Sequence, residues 1–197
     1  MIGIKLVTGL AAIGLAMSIS FQSIASEKYK VKENTKVSWL GKKVTGEHFG
    51  EISLKSGTLV MENGQLQGGN FTMDMTSIVC KDMEGEYADK LVGHLKSDDF
   101  FGVSKFNTAQ LKINSVSTTS DGKSKVMADL TIKGITNKVE FPVSISINNG
   151  IVGAKGEIII DRTKYGIKYG SGSFFDDLGD KMIKDNFTLT FEFVAGK

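Results

Sequence analysis

"VMADLTIKGITNKVEFPVSISI", residues 126–147, decides the fold class. Ala128, Leu130 and Ile132 alternate with polar neighbours, and Val139, Phe141, Val143, Ile145 and Ile147 repeat the pattern. Successive side chains of a strand point to opposite faces, so a period of two predicts strands with one face buried. Working outward, "NFTMDMTSI" (70–78) sets Phe71, Met73 and Met75 on one face and Thr72, Asp74 and Thr76 on the other. "FTLTFEF" (187–193) aligns Phe187, Leu189, Phe191 and Phe193 in the same way. About eight such segments recur along the chain. Proline occurs once (Pro142) and glycine 23 times, so tight turns fall to glycine and asparagine. Asn63-Gly64, Asp121-Gly122 and Asn149-Gly150 are strong hairpin signals.

One segment departs from this period. In "DMEGEYADKLVGHLKSDDFF" (82–101), Met83, Tyr87, Leu91 and Leu95 recur every four residues, the stripe of an amphipathic helix. Gly85 and Gly93 weaken it by roughly 1 kcal/mol each. The expectation is an all-β barrel or sandwich with one helix, continuous or broken, packed over an end or flank of the sheet. No internal repeat, linker or low-complexity block divides the chain.

Residues 1–25 read as a secretory signal peptide. Lys5 is followed by an apolar run from Leu6 to Phe21, and Ser23 and Ala25 suit the −3 and −1 positions of a cleavage site. The remainder, 26–197, suits one domain with its own core. Without Lys5 the basic and acidic residues almost balance, from 24 Lys and Arg against 22 Asp and Glu in the full chain. That balance makes no case for nucleic acid or for a polybasic membrane patch. Cys80 is the single cysteine, which precludes an internal disulfide. It reads first as a small buried hydrophobe, second as a reactive thiol.

Chemistry-bearing patterns are sparse. "VSWLGKKVTGEHFGEISLKSG" (37–57) fails as a phosphate loop, because Gly41, Gly46 and Gly50 lack the Gly-x-x-x-x-Gly-Lys-Ser/Thr spacing. Lys42 and Lys43 read as solvated strand or turn residues, or as contacts to an anionic head group at a barrel mouth. His48 and His94 are the only histidines, and neither has a His or Cys neighbour at a ligand spacing, so no metal site is expected. No nucleophile elbow is present. Asp161-Arg162 reads as a turn ion pair. The sequons at Asn70 and Asn186 fall inside strand-like runs and read as coincidental. The distinctive feature is apolar: Met61, Phe71, Met73, Met75, Met127, Phe141, Phe191 and Phe193 stand on strand faces. Eight strands closed into a barrel leave an interior that side chains fill or that holds one ligand, and flexible methionines suit a chain-like apolar guest.

Three segments, in this order, resemble the YceI-like, polyisoprenoid-binding family: "HLKSDDFFGVSKF" (94–106), "ADLTIKGITNKVEFPVSI" (128–145) and "IIIDRTKYGI" (158–167). Where many members carry a proline before the strand near Phe106–Thr108, Asn107 stands. The resemblance implies an eight-stranded antiparallel, lipocalin-like β-barrel in the periplasm. It would hold a long isoprenoid lipid, such as a polyprenyl phosphate or a quinone tail, with no other cofactor. It places Val37 and Trp39 at a strand end near the barrel mouth. Together with the alternation it nominates Phe71, Met73, Met75, Leu130, Ile132, Phe141, Val143, Leu189 and Phe191 as core and cavity lining, and Lys42, Lys43 and His94 as head-group contacts. The expected work is sequestration, not catalysis, with no stable membrane insertion after signal cleavage; the oligomeric state, a homodimer included, stays open. Two rival readings remain: an enzyme acting on an apolar substrate through His94, His48 or a metal, and a stress-related secreted barrel with a packed interior.

Overall fold

The alternating segments close into an antiparallel barrel. The computed structural model describes residues 26–120 and 123–197; the signal-peptide segment 1–25 and the Asp121-Gly122 turn lie outside the described residues. In chain order the elements are β1 (Glu27–Val31), β2 (Lys36–Lys43), β3 (Gly46–Glu62), β4 (Gln65–Cys80), α1 (Gly85–Lys96), β5 (Thr108–Thr118), β6 (Ser124–Ile132), β7 (Ile135–Asn148), β8 (Ile151–Asp161) and β9 (Ile183–Gly196). Each strand from β2 to β9 pairs with the next, and β9 pairs back onto β2, so eight strands form a closed ring. Closure removes the unpaired edges that an open sheet would expose.

β1 takes no ninth place in the ring. It pairs with the far half of β3, Val31 opposite Gly57, while β2 pairs with the near half, Lys36 opposite Ser53. The two are one barrel strand interrupted at 32–35, where Asn34 adopts φ 61° and its amide donates to the Leu54 carbonyl (2.9 Å).

Asn63-Gly64 and Asn149-Gly150 make the expected tight turns, both residues of each at positive φ. Lys133-Gly134 makes a third, between β6 and β7. The β2–β3 turn is Val44-Thr45, so the opening glycines do not build it. Gly50 is needed instead for close approach: a methyl there would run into the Val79 carbonyl oxygen and the Trp39 ring. Trp39 sits in the middle of β2, which runs on to Lys43, rather than at a strand end. Its indole N–H donates to the Val79 carbonyl (3.2 Å).

All the longer connections gather at one end of the barrel: the α1 region, the 3-10 turn Arg162–Tyr165 and the 166–182 loop. The α1 helix is unbroken, leans mainly on β4 and carries no fully buried side chain. Of its predicted stripe, Tyr87 is 75% exposed, while Leu91 and Leu95 face the barrel interior. Towards the other end the interior is filled by Tyr29, Val31, Met61, Val126, Val152 and Ala195, each no more than 5% exposed. Met127, counted among the apolar faces in the sequence, points outward at 45% exposure, because the β6 alternation puts Val126, Ala128, Leu130 and Ile132 inside.

Candidate functional site

The barrel is hollow. A cavity of about 390 Å³ runs from the α1 end into the interior, within the range of small-molecule sites. Alternation aims its wall. β4 supplies Phe71, Met73 and Met75, β6 supplies Leu130 and Ile132, β7 supplies Phe141 and Val143, and β9 supplies Leu189 and Phe191. All nine side chains nominated from the sequence therefore border one space. The aromatic part is organised: Phe191 stacks on Phe193 with centroids 5.7 Å apart and meets Phe141 edge-on at 6.2 Å.

Among the further lining residues that went unnamed as site residues are Trp39, Leu95, Phe100, Phe101, Phe187 and Phe193. Phe187 and Phe193 share the parity of Leu189 and Phe191, so the alternation already carried that signal. Phe100 and Phe101 come from the aperiodic turn after α1, held by the Phe101 amide donating to the Leu95 carbonyl (3.1 Å). No pattern marks them.

Polar groups collect where the cavity opens. Lys42, Lys43 and His94 all border it, as do His48, Lys184 and Asn186. Lys42 reaches Glu47 at 3.2 Å in an exposed pair, whereas Lys43 and Lys184 have no acidic partner among the described residues. The His94 ring lies 4.4 Å from Tyr169 and 5.7 Å from Phe100, centroid to centroid, and its buried Nε2 has no hydrogen-bond partner.

His48 is tied down. Its Nδ1 lies 2.7 Å from Asp82, whose other oxygen accepts from the Phe49 amide (2.9 Å) and the Cys80 thiol (3.2 Å). Burial opposes ionisation of Asp82, but the hydrogen bonds from His48, Phe49 and Cys80 outweigh it and bring the carboxyl down to about 2. Cys80 is thus half-buried and hydrogen-bonded, not a plain hydrophobe. Among the described residues no group of three or more His, Cys, Asp or Glu is placed to hold a metal ion.

Arg162 does not pair with Asp161. Asp161 turns back to accept from the Thr163 amide (3.0 Å) and hydroxyl (2.6 Å). The Arg162 side chain is buried, donating to the carbonyls of Ile167 (3.0 Å), Tyr169 (2.8 Å), Ile183 (3.0 Å) and Lys184 (3.2 Å). Asp185 lies 3.6 Å away, and the guanidinium stands 5.5 Å over the Phe100 ring. Burial pulls its pKa below the ordinary value, with Asp185 and Asp161 opposing. Arg162 therefore rivets the 166–170 loop to the start of β9 and shapes the opening. Its donors are spent on the protein itself.

The sequence model of the YceI-like domain family matches residues 26–195. This chain belongs to the YceI-like domain family. Among curated relatives, a UPF0312 protein of Staphylococcus aureus strain USA300 is 43% identical over 83 residues, 39% of this chain and 46% of that protein. Another, from the bovine strain RF122, is 35% identical over 105 residues, 50% of this chain and 58% of that protein. The chain spans about half the length of the curated relatives it matches. Burkholderia cenocepacia BcnA superposes with a TM-score of 0.65 at 21% identity, covering 81% of this chain and 95% of that one. A polyisoprenoid binding domain from Saccharophagus degradans gives 0.63 at 13% identity, covering 85% and 97%. Campylobacter jejuni YceI gives 0.54 at 13% identity, covering 95% and 93%. At these identities the shared property is the barrel fold.

Proposed function

We propose that this YceI-like barrel binds a long isoprenoid lipid, tail inward, and shelters it from water in the periplasm. The observation that carries the reading is the predominantly apolar cavity, walled by methionines, phenylalanines and aliphatic side chains, with Lys42, Lys43 and His94 at its border. The reading of residues 1–25 as a secretory signal peptide is what favours that compartment.

Energetics favours a long tail. Each buried methylene gains about 0.8 kcal/mol, so one isoprene unit gains about 3 kcal/mol before losses. Association costs of about 4–15 kcal/mol oppose that gain. Several units are needed to approach about −8 kcal/mol, the micromolar range. A single short terpene falls below it. The work proposed is binding rather than catalysis: the wall is aliphatic and aromatic, and His48 is engaged by Asp82. Lys42, Lys43 and His94 meet the polar head of the guest.

Organic extraction of purified protein followed by lipid mass spectrometry tests this directly. The expected result is a prenyl lipid in the extract, or uptake of added prenyl lipid read by the fluorescence of Trp39, the single tryptophan, in the cavity wall. Protein that is reproducibly empty and takes up none overturns the proposal.

A further inference from the structure

The two ends of the barrel differ in their turns. At the filled end the β3–β4 and β7–β8 turns put Asn63, Gln65, Asn148 and Asn149 outermost, all exposed. Ile147 and Ile151, also exposed, stand on the strands that flank Asn149-Gly150. At the α1 end the tips themselves are apolar. Val44, in the β2–β3 turn, is 49% exposed, and Phe174 and Phe175, consecutive in the 166–182 loop, are 47% and 51% exposed. Tyr169 of the same loop is half-exposed, with its ring against His94 at the cavity border.

These side chains share one surface. The Val44 amide donates to the Met182 carbonyl (3.1 Å), and Met182 packs so close on Gly172 that a methyl there would meet its sulfur. Val44 follows Lys43 and Met182 precedes Ile183, and both of those neighbours border the cavity. The loop is fastened down. The amides of Phe174 and Phe175 both donate to the carbonyl of the fully buried Ser171 (3.1 and 3.0 Å). The Ser173 hydroxyl donates to Asp185 (2.5 Å), and the Ile183 amide to the Gly170 carbonyl (2.8 Å). An anchored loop thus holds two adjacent phenylalanines in solvent, and exposed apolar groups rimmed by polar ones mark an interaction surface.

The charges beside them select the partner. Residues 164–185 carry four lysines and four aspartates. The Lys168 ammonium stands 4.7 Å over the Phe174 ring, while Asp176 and Asp177, both exposed, follow Phe175 directly. A surface that offers both signs of charge above an apolar layer matches this arrangement, whereas a strongly anionic one is repelled by Asp176 and Asp177. A zwitterionic bilayer is such a surface. A second copy of the chain seated here would shut the opening against a guest.

We propose that Val44, Tyr169, Phe174 and Phe175 form a docking surface for a zwitterionic lipid bilayer, dipping shallowly and reversibly among the head groups with the cavity opening turned to the membrane. The guest then passes between bilayer and barrel without its tail crossing water. The surface rests on the lipid-binding reading above and adds the source from which that cavity is loaded.

The test floats the purified protein with vesicles of phosphatidylcholine and phosphatidylethanolamine that hold no prenyl lipid. The protein is expected to rise with them, and added salt to change the bound fraction less than about twofold. Phe174→Ser/Phe175→Ser is expected to lower the vesicle partition more than about tenfold, and Ile147→Ser/Ile151→Ser at the filled end to leave it unchanged. Uptake of geranylgeraniol, followed by Trp39 fluorescence, supplies the second readout. The phenylalanine variant is expected to take up the alcohol from vesicles about tenfold more slowly, but from detergent with unaltered affinity, which also shows that it is folded. Failure of the unaltered protein to bind vesicles, or binding that survives loss of both phenylalanines, overturns the docking surface and leaves the cavity reading intact. So does a concentration-dependent dimer, dissolved by the same substitutions, in protein that ignores vesicles: it assigns the surface to a second copy. Phenylalanine-dependent vesicle binding with no uptake of geranylgeraniol from vesicles or detergent upholds the docking surface and overturns the lipid-binding reading.

Discussion

Arg162 is the residue on which the opening depends. Its planar fork donates to four backbone carbonyls, those of Ile167 and Tyr169 after the 3-10 turn and of Ile183 and Lys184 in β9. A lysine ammonium cannot reproduce that fork. Arg162→Lys is expected to cost about 2–3 kcal/mol, read as a lower urea midpoint with an unchanged slope. Asp82 sets an acid limit. Its carboxyl sits at about 2 in the fold against an ordinary 3.8, so folding favours its ionised form. That contribution is complete above the ordinary value and is lost as pH falls through about 4 towards 2. At this partly open site it amounts to about 1–2 kcal/mol after solvent screening. Asp82→Asn should therefore destabilise at neutral pH, and the gap from the unaltered protein should close on acidification, checked by thermal melts across that range.

At the scale of elements, local chemistry overrides simple alternation. In β4, Asp74 accepts from the Thr76 amide (3.0 Å) and hydroxyl (2.6 Å), and the Ser77 hydroxyl donates to the Asp74 carbonyl (2.6 Å). The Ser53 amide then donates to Ser77 (2.8 Å), and the pairing jumps from Ser53–Asp74 to Glu51–Val79. The result is that Met75 and Ile78 line the cavity, where strict alternation would have turned Ser77 inward. The β2–β3–β4 stack is equally particular at Gly50, which faces Trp39 on one side and Cys80 on the other. Gly50→Ala forces a methyl against the Val79 carbonyl and the indole. The expected cost is about 2–3 kcal/mol, seen as a lower thermal midpoint with a shifted Trp39 emission maximum.

For the whole molecule, the decisive property is a closed barrel whose interior is filled at one end and empty at the other. A hollow of this size predicts an unusual response to filling. Ala154 lines it at 4% exposure. Ala154→Phe is expected to leave the thermal midpoint within a few degrees of the original while weakening prenyl-lipid binding more than about tenfold. In a solidly packed barrel the same substitution would overpack the core and cost about 1–3 kcal/mol. Melting curves together with Trp39 titrations separate the two cases.

The sequence by itself determined the class of elements, the inward face of most strands and the apolar character of the interior. These follow from a period of two, from Asn-Gly turns and from the Phe71, Met73 and Met75 face, all of them local. Phe187 and Phe193 were legible by the same parity. Tertiary structure alone decided that β1 and β2 share one place in the ring, that Phe100 and Phe101 reach the cavity, that Arg162 turns inward away from Asp161, and that the β2–β9 pairing shifts register at Lys184–Asn186. Each depends on which distant strand lies opposite and in what register, and register is set by bulges and packing among segments far apart in the chain.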